Sequence, residues 1–334
     1  MEPALRISEI RSMIRYWDEL SSTDQKVLRS HRRQQQVVVL ARGCYILAEH
    51  WNELYGEDRQ IAVALAHSDR ELRRPVFSHF TAAALLGLPL YRFSSIRVHM
   101  TNPQGGIQKS TPRVMRHEGT ASDDETIEIA GVRVTSMERT VLDLARFASA
   151  ELALGCADEA LKLEALSAGG SAQTSQEIWR EGLLEKLHEM PGERGVRRAR
   201  KVLKFADGRA ESALESVGRL RFARAGIRTE LQYRVPGTHG YDYFVDFELP
   251  DHKAFAEADG EVKYFDKEMA RGRDPKQILR DEKEREDWIR GTTKKPIYRF
   301  GLKHVATQES FENRFASFGV FGSPMSYSER HRIP

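Results

Sequence analysis

The sequence predicts an α+β protein of more than one domain. Three observations carry that prediction. A length of 334 residues exceeds one domain of ordinary size. Apolar residues at helical spacing alternate along the chain with short β-branched and aromatic runs. Past Ala206-Asp207-Gly208 the pattern settles into a separate helix, three strands, helix and strand. Hydrophobic residues make up 40% of the chain, an ordinary globular share, so a sizeable core is expected.

Residues 5–35 read as helical, with Ile7, Ile10, Ile14 and Trp17 on one stripe and a second segment from Ser22 to Arg33 entered through Ser21-Ser22-Thr23-Asp24. The strand Gln36–Ala41, the turn Arg42-Gly43 and a second strand follow, and helices leading into a two-stranded ribbon suggest a winged-helix-like region over 1–55. Trp51–Ala66 and Val76–Leu86 are expected helices, the second ending at Gly87. Strands are expected at Ile96–Met100, Arg113–His117, Glu125–Ile129 and Val132–Val134, then helices at Ser136–Ala150 and Leu152–Leu166, closing a mixed α/β region over 56–166. His79, His99 and His117 stand far apart in sequence and read as packing or surface residues rather than ligands. Arg139 and Asp143, one turn apart, read as an intrahelical pair. The Gly/Ser/Ala stretch 167–172 opens a loop and helical connector over 167–207, and a last domain over 208–320 precedes a tail, 321–334.

Charge is abundant at 30% of residues but nearly balanced, at a net +3, so its placement matters more than its sum. The 193–205 helix is densely basic, and Arg197, Arg198, Arg200, Lys201 and Lys204 are candidate nucleic-acid contacts or a plain solvated face. Cys44 and Cys156 lack metal-type spacing, which fits a reduced, cytoplasmic setting. The opening Met-Glu-Pro-Ala-Leu-Arg matches neither a signal peptide nor a lipidation motif. No apolar run approaches the roughly 18 residues that span a bilayer, so no membrane partner is expected.

The last domain holds the chemistry. Tyr241–Leu249 and Ala254–Glu261 read as a hairpin around Pro250–Lys253, which sets Asp246 across from Glu257 with Asp259 two residues on. Opposed carboxylates repel at a Cβ separation of roughly 4.5–5.5 Å and need a compensating charge. A divalent cation is one solution and a basic neighbour another; acids facing water on an edge strand account for Asp242 and Glu248.

Residues 208–305 resemble the endonuclease domains related to the very-short-patch repair enzyme, within the PD-(D/E)xK superfamily. The likeness rests on Glu215, Gln232 in Leu-Gln-Tyr-Arg-Val, Asp246 in Val-Asp-Phe, Glu257-Ala258-Asp259-Gly260 before Lys263-Tyr264, and the charged run Glu282 to Asp287. The resemblance implies a mixed sheet flanked by helices, Asp246 and Glu257 as ligands for Mg²⁺ or Mn²⁺, and Glu215 as a helix acid. Where the superfamily has Glu-x-Lys, this chain has Glu257-Ala258-Asp259, so the catalytic lysine falls to Lys263 or Lys283 or is missing. Asp259 joins the acidic patch.

Residues 30–165 resemble AbiEi-type antitoxin regulators of bacterial type IV toxin–antitoxin systems. Arg42-Gly43-Cys44-Tyr45, the Val76-Phe77-Ser78-His79 segment leading to Leu88-Pro89, and Val134-Thr135-Ser136-Met137-Glu138-Arg139-Thr140 through Ala145 carry that likeness. It implies a DNA-binding or scaffolding role and a toxin or other defence-system partner. The functional expectation is metal-dependent hydrolysis of nucleic-acid phosphodiesters, DNA first, guided by the N-terminal region. The alternative is a non-enzymatic DNA-binding antitoxin or regulator with a degenerate nuclease fold.

Overall fold

A computed structural model describes residues 2–69, 75–102, 109–118, 121–167, 171–237, 240–260 and 275–334. It is a mixed α and β protein with several sheets, divided into two compact units. The first comprises Met1–Cys156 with Glu185–Ala199, and the second Ala157–Leu184 with Arg200–Pro334. Among the described residues no helix is long and apolar enough to cross a membrane.

The first unit begins with α1 (Pro3–Met13), which buries Ile7 and Ile10. The expected helical stripe stops there, because Ile14 turns extended and leads into β1 (Arg15–Tyr16), leaving Trp17 in a short 3-10 turn. Ser21 caps α2 (Ser22–Arg33) by accepting the Asp24 N–H. Next come β2 (Val37–Ala41) and β3 (Cys44–Leu47), joined through Gly43 at φ +75° and arranged with β1 in the order β1-β3-β2. Leu54 runs extended and divides the expected Trp51–Ala66 helix into α3 (Ala48–Glu53) and α4 (Gly56–Ser68).

The Val76–Leu86 helix expected from sequence is also divided. Val76 and Phe77 form β4 (Val76–Phe77), completely buried inside a sheet, and only then does α5 (His79–Leu85) begin. That sheet adds β5 (Val98–Thr101), β6 (Val114–His117), β7 (Thr126–Ile129) and β8 (Val132–Thr135), in the order β6-β5-β4-β8-β7. Ser136 caps α6 (Met137–Phe147) on the Arg139 N–H. Helices α7 (Ala150–Ser167), α8 (Ala172–His188) and α9 (Val196–Phe205) follow, and the chain passes from one unit to the other within each of them.

The second unit continues with α10 (Ala213–Arg224), β9 (Glu230–Pro236), β10 (Asp242–Leu249), β11 (Ala254–Ala258), α11 (Pro275–Thr293), β12 (Ile297–Phe300), α12 (Gln308–Ala316) and α13 (Tyr327–Arg332). The sheet order is β12-β11-β10-β9, antiparallel except for the parallel β11–β12 pair. One face is filled by Phe222, Phe247, Phe300, Phe311 and Phe315, with ring centroids such as Phe222–Phe311 at 4.7 Å and Phe222–Phe247 at 5.4 Å. On the other, Val235, Val245, Phe255 and Ile297 pack with Ile289 of α11. Val245 and Phe247 are two residues apart yet join different clusters, whereas a regular strand would keep them on one face. The alternation therefore breaks between them, at Asp246. Gln232, which lies between the pairs Leu231↔Phe247 and Tyr233↔Val245, has φ +54° at the same level of the neighbouring strand.

Candidate acidic site of the second unit

The pairing Phe247↔Ala256 is the last main-chain pair between β10 and β11, and one further step of the same register sets Asp246 opposite Glu257. Where the ladder stops, the Asp246 carboxylate takes over as acceptor and receives the Ala258 N–H at 2.8 Å. On the far side of Glu257, the parallel register places Arg299 of β12. Gln232, Asp246, Glu257 and Arg299 thus occupy one row across four strands. β10 is interior to the sheet, so the edge-strand account of its acids does not hold: Glu248 is buried and paired with Lys295, and Asp242 pairs with Arg234 at 2.6 Å.

Glu257 is 8% exposed, and a buried carboxylate requires a partner. It has two. Arg285 Nη2 lies 2.8 Å from its Oε1 and Arg299 Nη2 lies 3.4 Å from its Oε2. Arg285 reaches the site because Glu282, Arg285, Glu286 and Ile289 recur at helical spacing, and Ile289 anchors that stripe against Phe255 and Ile297. Arg299 is held by Glu282 at 2.8 Å and Glu286 at 3.0 Å, with Asp259 at 3.9 Å. Burial is the largest influence and works against the charge on both arginines, but Glu257 together with Glu282 and the neighbouring carboxylates outweighs it and holds both guanidiniums above their ordinary pKa. Lys283, an expected source of positive charge, is exposed and off this stripe, and Lys263 lies outside the described residues. Sequence reasoning missed both arginines because neither sits at the lysine's place in the motif.

Glu215 is 1% exposed in the first turn of α10. Its carboxylate accepts from the Ser212 hydroxyl at 2.9 Å, the Glu211 N–H at 2.9 Å and the Gln232 amide at 3.2 Å. Ser212 caps the helix on the Glu215 N–H, and the Glu215 carboxylate fastens that turn and ties α10 to the strand position beside Asp246. Asp259 follows the end of β11, and its N–H donates to the Phe300 carbonyl at 2.7 Å.

The geometry can be tested against a divalent cation. Arg285 Nη2 approaches Glu257 Oε1 in distance but directs a hydrogen bond to the Phe244 carbonyl at 2.6 Å, and Oε1 is left buried without an aligned donor. An unfilled lone pair on Glu257, with Asp246 across the strand, fits Mg²⁺, which is commonly bound by one or two carboxylates and completed by water or phosphate. A site built wholly of protein ligands does not fit: among the described residues no group of three or more His, Cys, Asp or Glu is placed to hold a metal ion.

The basic residues of α9 divide by burial. Val196, Ala199, Val202 and Leu203 face inward, Arg197 and Lys204 are exposed, and Arg198, Arg200 and Lys201 are half-buried. Arg198 donates to the Ala148 carbonyl, a structural bond.

The first unit holds a cluster that sequence separation concealed. The parallel β5–β6 register puts Thr101 beside His117, and the Ser78 N–H bonds the His99 carbonyl at 3.0 Å, which gathers the three histidines. His79 stacks on His117 with centroids 3.5 Å apart, and His99 Nδ1 lies 2.9 Å from His117 Nε2. Burial pushes His79 well below the ordinary histidine value, His99 down to about 3 and His117 to about 4. The neighbouring Asp143, 3.6 Å from His79 Nδ1, is raised by burial to about 6 despite Arg139 at 3.1 Å. The expected Arg139–Asp143 pair is present, and Arg139 also reaches Glu125 at 2.8 Å.

No family model matches the chain. Two proteins of Mycobacterium tuberculosis are similar to it: MT2308 of strain CDC 1551 / Oshkosh and Rv2248 of strain H37Rv, both described as uncharacterized. Each is 33% identical over 178 residues, which is 53% of this chain. The match spans 59% of the length of each relative.

Proposed function

We propose that the second unit is a Mg²⁺- or Mn²⁺-dependent phosphodiester hydrolase acting on DNA. The observation that carries this reading is the placement of Asp246 against Glu257, with a buried Glu257 oxygen that lacks an aligned hydrogen bond beside two guanidiniums, Arg285 and Arg299. Asp246 and Glu257 hold the ion, which when bound supplies Lewis acidity and a water of lowered pKa. Gln232, fastened to Glu215, supports the Asp246 position from β9. Arg285 and Arg299 provide the positive field that a phosphate requires, and the exposed charges of α9 provide contacts to the backbone. The order α1-β1-α2-β2-β3 with the sheet order β1-β3-β2 supports a winged-helix reading of the N-terminal region, and with it a regulatory or targeting role that includes a toxin-type partner.

One observation favours a second reading, a non-enzymatic DNA-binding regulator: two guanidiniums already compensate Glu257 without any metal. Supercoiled plasmid and linear duplex incubated with Mg²⁺ or Mn²⁺ separate the two. Cleavage is expected from the wild type and a loss of at least a hundredfold from Asp246→Asn and Glu257→Gln. Undiminished cleavage by Asp246→Asn overturns the site, and metal-independent DNA binding without cleavage in any variant supports the regulator.

A further inference from the structure

We infer that Arg285 is an exchangeable counter-ion that holds the acidic site closed to metal until a nucleic-acid phosphate draws it away. This deepens the hydrolase reading and rests on Asp246 and Glu257 being the metal ligands.

The two arginines at Glu257 are not equivalent. Arg299 is bound by Glu282 and Glu286 besides Glu257, and it lies on a strand whose register fixes it there. Arg285 is bound differently. Its Nη2 bonds a main-chain carbonyl, its Nη1 lies 3.4 Å from Glu282, and its approach to Glu257 Oε1 is a short ion pair without an aligned hydrogen bond. It also feels Asp246. One guanidinium therefore sits in the field of both expected ligands and fills neither with a directed bond.

A divalent cation and Arg285 compete for the same Glu257 oxygen, because like charges a few ångströms apart repel. A phosphate offers the guanidinium the planar, bidentate partner that its present contacts do not. Phosphate binding by Arg285 then lowers its occupancy at Glu257 and favours metal entry, and by linkage the metal favours phosphate binding to the same degree. The site is disarmed toward free metal and armed by its substrate.

The exchange makes opposite demands on metal and nucleic-acid affinity, which a purely structural role does not. Mn²⁺ binding to the full chain without nucleic acid is measured by electron paramagnetic resonance of the free ion. Binding of a short fluorescent duplex is measured in EDTA across a salt series. Arg285→Gln is expected to bind Mn²⁺ about tenfold more tightly than the wild type, to bind the duplex more weakly, and to lower the salt slope by about 1. Arg285→Lys is expected to return both toward wild type. Arg285→Met serves in the same way should the glutamine variant not fold. Weakened or unchanged Mn²⁺ binding in both neutral variants, or an unchanged salt slope, overturns the exchange. Asp246→Asn separates the two levels: if it loses Mn²⁺ while the Arg285 variants gain none, only the exchange falls. If it binds Mn²⁺ as the wild type does, the ligand assignment falls and the exchange with it.

Discussion

At Glu257 the decisive charges come from Arg285, which stands inside the charged run Glu282 to Asp287 without a role read for it, and from Arg299, which stands outside it. Asp246 and Glu257 were legible because a hairpin register follows from the position of its turn, and Pro250–Lys253 marks that turn plainly. Arg285 and Arg299 were not, since each reaches Glu257 through a helix stripe or a parallel strand whose register no turn defines. The histidines give the same lesson: His79, His99 and His117 meet only through the β4-β5-β6 pairing. Their burial has a measurable consequence. His99 and His117 have folded pKa values of about 3 and about 4, below the unfolded 6.5, so the unfolded chain binds more protons in that window and their stabilisation, full above pH 6.5, is lost as pH falls. Asp143, raised to about 6 from 3.8, acts oppositely and gains stability on acidification over its own window. Three depressed histidines outnumber one raised aspartate. The melting temperature of the first unit, followed by near-ultraviolet circular dichroism, is expected to fall from pH 7 to pH 5. Each imidazole contributes up to about 1.4 kcal/mol per pH unit, less for the half-buried His117. The double variant His99→Gln/His117→Gln should flatten that slope, and an unchanged slope would refute the assignment.

Among the elements, the helix and strand order from α10 to β12 was legible because each segment is long enough to show its period, whereas α12 and α13 were not read from the sequence. β4 was not. Two residues, Val76 and Phe77, cannot display an alternation, and the alanine-rich run after them reads as one helix with them. The break of alternation at Asp246 was equally hidden, since nothing in the residue types of Gln232 or Asp246 demands a left-handed φ or a reversed face. Close approach of α10 to the sheet is a third such feature. Gly218 faces Phe300, and a Cβ there would lie 2.5 Å from the ring Cζ. Alanine improves the helix by about 1 kcal/mol, but the ring is locked among Phe222, Phe311 and Phe315 and cannot yield cheaply. Gly218→Ala is therefore expected to destabilise the second unit by roughly 1–3 kcal/mol in urea unfolding. A stabilised variant would mean that the phenylalanine cluster is loosely packed.

For the whole molecule, the division of the chain is the least legible feature, because all three passages between units fall inside helices α7, α8 and α9 and no loop composition marks them. Charge is more readable. A net +3 spread over 334 residues gives little long-range attraction for a polyanion, so any nucleic-acid affinity must come from local clusters. On α9 the structure separates charges that can meet a phosphate from those spent on the fold: Arg197 and Lys204 are exposed, while Arg198 is occupied by the Ala148 carbonyl. Reversing the two exposed charges tests the cluster without disturbing the buried stripe of Val196, Ala199, Val202 and Leu203. Arg197→Glu/Lys204→Glu is expected to weaken duplex binding about tenfold near 0.1 M salt and to reduce the salt slope by about 2, since each lost phosphate contact removes about 0.9 of slope. The metal binding proposed at Asp246 and Glu257 should be unaffected in the same variant. Loss of duplex affinity with an unchanged slope would place the effect in folding instead, and no loss at all would remove α9 from the nucleic-acid surface.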